Sequence, residues 1–335
     1  MTHELVTLES EALRLVLSPA LGARAVSLFD RRTGREWLVS SPPVDAGMSQ
    51  RWSSADAVFD AGAATGWDEC LPSVAPASDP TGISGRLRDH GDVWGRPATV
   101  LVEGQSLTSI TSGVHWPYHF ERRVSVKNDQ VEATYRISND GLSQLPFLWS
   151  MHPLLDLPPD SRLHIPGTNS VAVTHMAGLR VRGLRDMLRS PTAADIFRLP
   201  SDGLAWPVGE LTDGPFELDR TRDRAAGIAL KLYAAAPRGG RAAAETPDGQ
   251  WLGLAWDTAR IPFVGLWLDY GGWPEASPVQ QVAIEPTSAP ADDLPAAMRL
   301  GRAIELPPGG RFEWEVTAHV GLGGTTLGEF LGPPG

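Results

Sequence analysis

From Arg311 to Val320 the chain alternates strictly: Phe312, Trp314, Val316, Ala318 and Val320 interleave with Arg311, Glu313, Glu315, Thr317 and His319. Side chains leave a β-strand on opposite faces with period two, so this stretch has one face for a core and one for solvent. The same rule picks out Leu5 to Leu8, Leu13 to Leu17, Ala25 to Phe29, Ile228 to Leu232, Trp251 to Trp256, Phe263 to Tyr270 and Val279 to Glu285. Phe120 to Ser138 reads as a hairpin about the turn residues Asn128 and Asp129. Gly (35) and Pro (29) are scattered along the chain and cut it into segments too short for long helices. No helical pattern alternates with the strands, which disfavours a parallel α/β sheet. The expected fold is all-β, a large antiparallel β-sandwich formed by one domain spanning residues 1–335. Loops with one short helix are expected over Thr174 to Arg224, and a flexible end from Gly321-Leu-Gly-Gly324 onward.

Charge and composition narrow the function. A formal charge of −11 argues against nucleic acid. No apolar run approaches the roughly 20 residues that span a bilayer, so no membrane partner is expected. Acids at Glu4, Glu9 and Glu11 do not suit a signal peptide, and the protein is expected to be cytoplasmic, a monomer or homodimer. A single cysteine, Cys70, leaves no disulfide framework and no zinc cluster built on cysteines. Only Lys127 and Lys231 are lysine, a bias that reads as compositional. His115 and His119 have the spacing of a helical zinc pair, but Pro117 lies between them and the central Glu is missing. No phosphate loop, nucleophile elbow or dinucleotide fingerprint is present, and no cofactor or metal is expected.

Several polar residues sit where an apolar strand would not normally carry them. Glu285 closes the strand Val279 to Glu285 just before Pro286, and a carboxylate there is costly to bury unless it is paired or working. Trp267 and Asp269 share one face of Phe263 to Tyr270, an arrangement that suits a sugar: the ring stacks on C–H groups while the acid accepts from hydroxyls. His152 ends the apolar stretch Leu145 to Pro153, and His90 lies in the polar loop Arg88 to Arg96. In Gly66-Trp67-Asp68-Glu69, the two acids should point to opposite faces of a strand. Taken singly, each is more often structural than catalytic.

As an ordered set, Gly66-Trp67-Asp68-Glu69, Asp89-His90-Gly91, His152-Pro153, Trp267 ahead of Tyr270-Gly271-Gly272, and Ile284-Glu285-Pro286 resemble the galactose mutarotase-like (aldose 1-epimerase) family. The resemblance runs over nearly the whole chain and marks a divergent member. It implies a β-sandwich with a small-molecule sugar bound in a groove across one face. It also implies Glu285 as catalytic base, His152 as catalytic acid and His90 as a second histidine that binds or polarises the sugar. Asp269, Trp267, Asp68, Glu69, Trp67 and Arg88 are the expected substrate-binding residues. Asp68, Glu69 and Asp269 are the carboxylates expected to hold His152 protonated. Met151 stands where better-known members carry Asn, so the sugar itself is left open. Two other readings stand beside the isomerase: a glycoside hydrolase using paired carboxylates, and a sugar-binding sensor of the same fold without turnover.

Overall fold

The computed structural model describes residues 5–41, 46–177, 203–211 and 214–332. Among them, two large antiparallel sheets dominate, one of eleven strands and one of eight. The larger sheet runs in the order Arg24–Asp30, Trp67–Cys70, Ser150–Pro153, Gln280–Thr287, Phe263–Tyr270, Ile228–Ala235 and Ser170–Ala177, with further strands at both edges. The smaller is centred on Arg311–Leu322, between Gln250–Trp256 and the Gln130–Asn139/Tyr118–Lys127 hairpin. These strands match the alternating segments of the sequence. The hairpin turns at Asn128 and Asp129, with Asn128 in the left-handed region at φ 54° that a tight two-residue turn requires.

The sheets pack face to face as a sandwich. From the larger sheet, Leu230, Leu232, Leu266, Leu268, Val282 and Ile284 face the core; from the smaller, Val131, Ala133, Tyr135, Val316, Ala318 and Leu254 meet them. Strand parity then sends the alternate residues of the larger sheet to its outer face, and there the polar groups collect. Lys231, Trp267 and Ala283 lie side by side in register across three strands, as do Tyr233, Gly265 and Glu285, and Ala229, Asp269 and Gln281.

Two expectations change. The segment after Val320 is regular: the last strand reaches Leu322, and Gly324–Leu331 forms a helix whose Phe330 stacks on Trp251 at 5.2 Å. Gly253 makes room for it, since a Cβ there would lie 2.3 Å from the Phe330 ring. Docking of Leu327 and Phe330 outweighs the weak helix propensity of the flanking glycines. Within Thr174 to Arg224, short strands occupy Leu204–Ala205, Val208–Leu211 and Gly214–Glu217 where loops were expected. The strand Ser170–Ala177 also runs into this stretch, residues 218–223 lie in no strand of three or more residues, and residues 178–202 and 212–213 lie outside the described residues. No helix among the described residues is long and apolar enough to cross a membrane.

Candidate active site

The outer face of the larger sheet holds a cleft of about 290 Å³, lined by Phe59, Asp89, His90, His152, His175, Lys231, Trp267, Trp273, Gln281 and Asp292 among others. His152 enters from Ser150–Pro153 and His90 from the loop above it; their rings lie 5.1 Å apart, centroid to centroid. His90 is held in three ways. Its backbone is left-handed at φ 54°, rare for a residue with a side chain. The next residue, Gly91, bridges to Leu71 so closely that a Cβ would fall 2.1 Å from the Leu71 carbonyl oxygen. Finally, the imidazole lies flat on Phe59 at 3.8 Å, and its Nδ1 bonds Asp89 Oδ1 at 2.8 Å. Burial works to raise the Asp89 pKa, but the bonds from His90 and the Phe59 amide win and hold it below the ordinary value.

Glu285 is fully buried beneath the cleft and accepts a hydrogen bond from the Lys231 ammonium, which lines the cleft above it. Ser150, two residues before His152 and therefore on the same face, also donates to Glu285 at 3.3 Å. The second carboxylate oxygen, Oε1, has no partner among the described residues. Gly265 creates the space for this pair: a Cβ there would lie 3.0 Å from the Tyr233 ring and 3.1 Å from Glu285 Oε2. His152 and Glu285 thus lie on the same face of the sheet, with Lys231 between Glu285 and the opening of the cleft. Lys231 was the residue missed. The signal was a lysine inside the otherwise apolar Ile228–Ala235 strand, on the same face as Tyr233.

His152 differs from expectation. Burial first, then the positive fields of His90, Lys231 and Arg24, push its pKa well below the usual value, which favours the neutral imidazole. The carboxylates expected to keep it protonated are engaged elsewhere. Asp68 pairs with Arg24 (Oδ2 to Nη2, 2.5 Å), and burial raises its pKa against that attraction. Glu69 points the other way, into the core between the sheets, where Arg122, Tyr135, Trp67 and Trp149 all donate to it within 3.0 Å. Burial there carries its pKa up to about 7 although Arg122 opposes the shift.

Four of the expected sugar contacts therefore stand off the cleft: Asp68, Glu69, Trp67 and Arg88. Trp67 is a core ring on the inner face with Glu69. Arg88 is buried and gives its protons to main-chain oxygens of Ser54, Gly91, Trp94 and Trp52, so it shapes the loop that carries His90. The polar look of these segments reflects buried ion pairing and loop bracing, which residue type alone does not separate from ligand contact. Trp267 does form a wall of the cleft, edge-on to Trp273 at 6.1 Å. Asp269 sits just behind that wall and accepts from the Gly272 and Trp273 amides at 2.9 and 3.2 Å, fixing the loop that bears Trp273. Burial lifts its pKa to about 7 even so. His115 and His119 do not join; His119 pairs with Asp140 at the surface.

No family model and no curated protein matches the chain by sequence. Solved structures do match, over almost its whole length. A putative aldose 1-epimerase from Escherichia coli superposes with a TM-score of 0.60 at 19% identity, covering 95% of this chain and 99% of its own. A galactose mutarotase-like protein from Lactobacillus casei gives 0.60 at 14%, covering 95% and 100%. A putative aldose 1-epimerase from Klebsiella pneumoniae gives 0.63 at 11%, covering 99% and 84%. The fold is the galactose mutarotase-like β-sandwich, reached by a sequence far from these neighbours. At these identities the likeness speaks for the fold alone.

Proposed function

We propose that the chain is an aldose 1-epimerase-like isomerase that interconverts the α and β anomers of a small aldose by acid–base catalysis, without a cofactor, in the cytoplasm. The geometry that carries this reading is the meeting of His152 with the Lys231–Glu285 pair at one cleft walled by tryptophan. Ring opening needs a group that takes the proton from the C1 hydroxyl and another that gives one to the ring oxygen. After rotation about C1–C2 the two transfers reverse, and both groups end as they began.

The depressed pKa of His152 favours a specific division of labour. A neutral His152 is ready to accept the hydroxyl proton, and the Lys231 ammonium, backed by Glu285, is ready to supply one to the ring oxygen. The family resemblance gives His152 the acid role and Glu285 the base role; the cycle is the same, entered from the other protonation state. His90, with Nδ1 held by Asp89, turns Nε2 to the sugar as its polariser. Each proton transfer supplies roughly 10²- to 10⁴-fold in rate, about 3 to 5 kcal/mol. Trp267 and Trp273 offer faces for sugar C–H groups, and Gln281 and Asp292 offer hydroxyl partners.

Freshly dissolved α-anomers followed by polarimetry or NMR test this reading. Glucose, galactose, and deoxy and phosphorylated sugars form the panel. Catalysed relaxation of at least one sugar is expected. Saturable sugar binding with no acceleration of any would replace the isomerase with a sensor, and release of reducing ends from an oligosaccharide would replace it with a hydrolase.

A further inference from the structure

Cys70 is fully buried close to His90 and His152, and the acid–base reading gives it nothing to do. Its Sγ and one ring nitrogen from each of His90 and His152 all lie within 4.8 Å of one another. We propose that Cys70, His90 and His152 form a site for one borderline-soft divalent metal ion of the zinc type, with the fourth coordination position turned to the cleft.

Both histidines are prepared for such an ion, while burial, and then the charge of Glu285, keep the Cys70 thiol protonated until the metal displaces its proton. His152 is only 5% exposed, and its Nδ1 has no hydrogen-bond partner among the described residues, a costly state for a buried polar nitrogen. His90 carries the outer-shell carboxylate typical of metal-binding histidines: Asp89 holds Nδ1, is itself fixed by the Phe59 amide, and leaves Nε2 to coordinate. Cys70 is a free thiol, fully buried, and the Leu71–Gly91 bridge beside it ties its strand to the loop that carries His90. Two imidazoles and a thiolate suit zinc, copper or cobalt and do not suit magnesium or calcium.

The geometry is close to tetrahedral requirements. Bonds of about 2.1 Å to nitrogen and 2.3 Å to sulfur set the donors roughly 3.3 to 3.7 Å apart, so the widest separation must close by about 1 Å. Small shifts of all three donors share that closure, with His90 moving together with Asp89 and Phe59 so that its Nδ1 bond is kept. On binding, the Cys70 thiol releases its proton to solvent as the sulfur–metal bond forms, both imidazoles coordinate in neutral form, and no electron is transferred. The expectation of no metal weighed cysteines by number; a mixed nitrogen–sulfur set drawn from three separate segments escapes that count. A corollary rests on the isomerase reading: metal and sugar compete for the same two histidines, so zinc inhibits anomerisation.

Cobalt titration of the reduced, chelator-treated full chain tests the site without reference to turnover. One equivalent of Co²⁺ should produce a thiolate-to-cobalt charge-transfer band with intense tetrahedral d–d bands, release about one proton per ion, and be displaced by Zn²⁺. Cys70→Ser should abolish the charge-transfer band, and Asp89→Asn should keep it while weakening binding about 10- to 100-fold. His90→Ala, at a partly exposed position, should remove binding even if the buried Cys70 variant misfolds. Absence of saturable binding in the wild type, or a charge-transfer band that survives Cys70→Ser, overturns the proposal. A cobalt band in a protein inert toward every sugar would leave the metal site standing and remove the isomerase instead.

Discussion

Replacing Lys231 by Met removes the cation from a buried pair whose partner, Glu285, is fully enclosed. Breaking a buried ion pair from one side typically destabilises by about 3 to 5 kcal/mol, because the remaining charge keeps its desolvation penalty and loses its compensation. Ser150 contributes one long hydrogen bond at 3.3 Å, too little to offset that loss. Lys231→Met should therefore cost about 3 to 5 kcal/mol in urea unfolding at neutral pH. Glu285→Gln, which strands the ammonium, should cost somewhat less, since Lys231 borders the cleft and reaches water there. The double variant Lys231→Met/Glu285→Gln buries no net charge and should recover most of the stability, giving a coupling energy of more than about 2 kcal/mol. Turnover should behave differently: each single variant loses at least about 10²-fold and the double variant recovers none of it. A Lys231→Met protein within about 1 kcal/mol of wild type would show that the pair is not energetically coupled, and the site argument would fail with it.

Asp269→Asn keeps the acceptor for the Gly272 and Trp273 amides and removes a carboxyl raised from 3.8 to about 7. The folded wild type binds a proton there that the unfolded chain lacks between these values, so the buried charge penalises the fold above about pH 7, by on the order of 4 kcal/mol. The variant should be the more stable at pH 8 and lose that advantage by pH 4; urea midpoints across this range check it, and a difference that does not vary with pH would contradict the burial argument. His152, depressed below its ordinary value, acts with the opposite sign: as pH falls through about 6.5 the unfolded chain takes a proton the fold refuses, and stability drops. His152→Gln should lack that acid-side loss in the same denaturation series and lose at least about 10²-fold in turnover. Gly265→Ala pushes a methyl group against Tyr233 and Glu285, and should cost about 1 to 3 kcal/mol in chemical denaturation and reduce anomerisation while far-UV circular dichroism stays unchanged.

The strands were legible because alternation is local. Phe263–Tyr270 and Arg311–Leu322 could be read directly, and the Asn128 turn fixed the register of its hairpin. Parity also put Trp267 with Asp269 on one face of their strand and Gln281 with Glu285 on one face of theirs, and separated Asp68 from Glu69; the pairing of the two strands joins the first two sets. Parity does not say which face of a sheet meets the second sheet, and so Glu69 passed for a sugar contact when it is the hub of a buried polar cluster. Arg88 was misjudged for a related reason: its partners are carbonyl oxygens, which every residue has and no sequence distinguishes. Lys231 was set aside because lysine is rare throughout the chain, although its place within an apolar strand was the stronger signal. The depressed pKa of His152 was out of reach, since it comes first from burial and then from the charges of His90, Lys231 and Arg24, which other parts of the chain bring near it.

The central claim is that His152 and the Lys231–Glu285 pair exchange protons with one bound sugar. Two-dimensional NMR exchange between the α and β anomeric protons of an equilibrated sugar measures this directly, because it needs no net conversion. The account predicts cross-peaks whose rate grows in proportion to wild-type protein, and that fall at least about 10²-fold with His152→Gln and with Glu285→Gln. Exchange in those variants at the wild-type rate would contradict it.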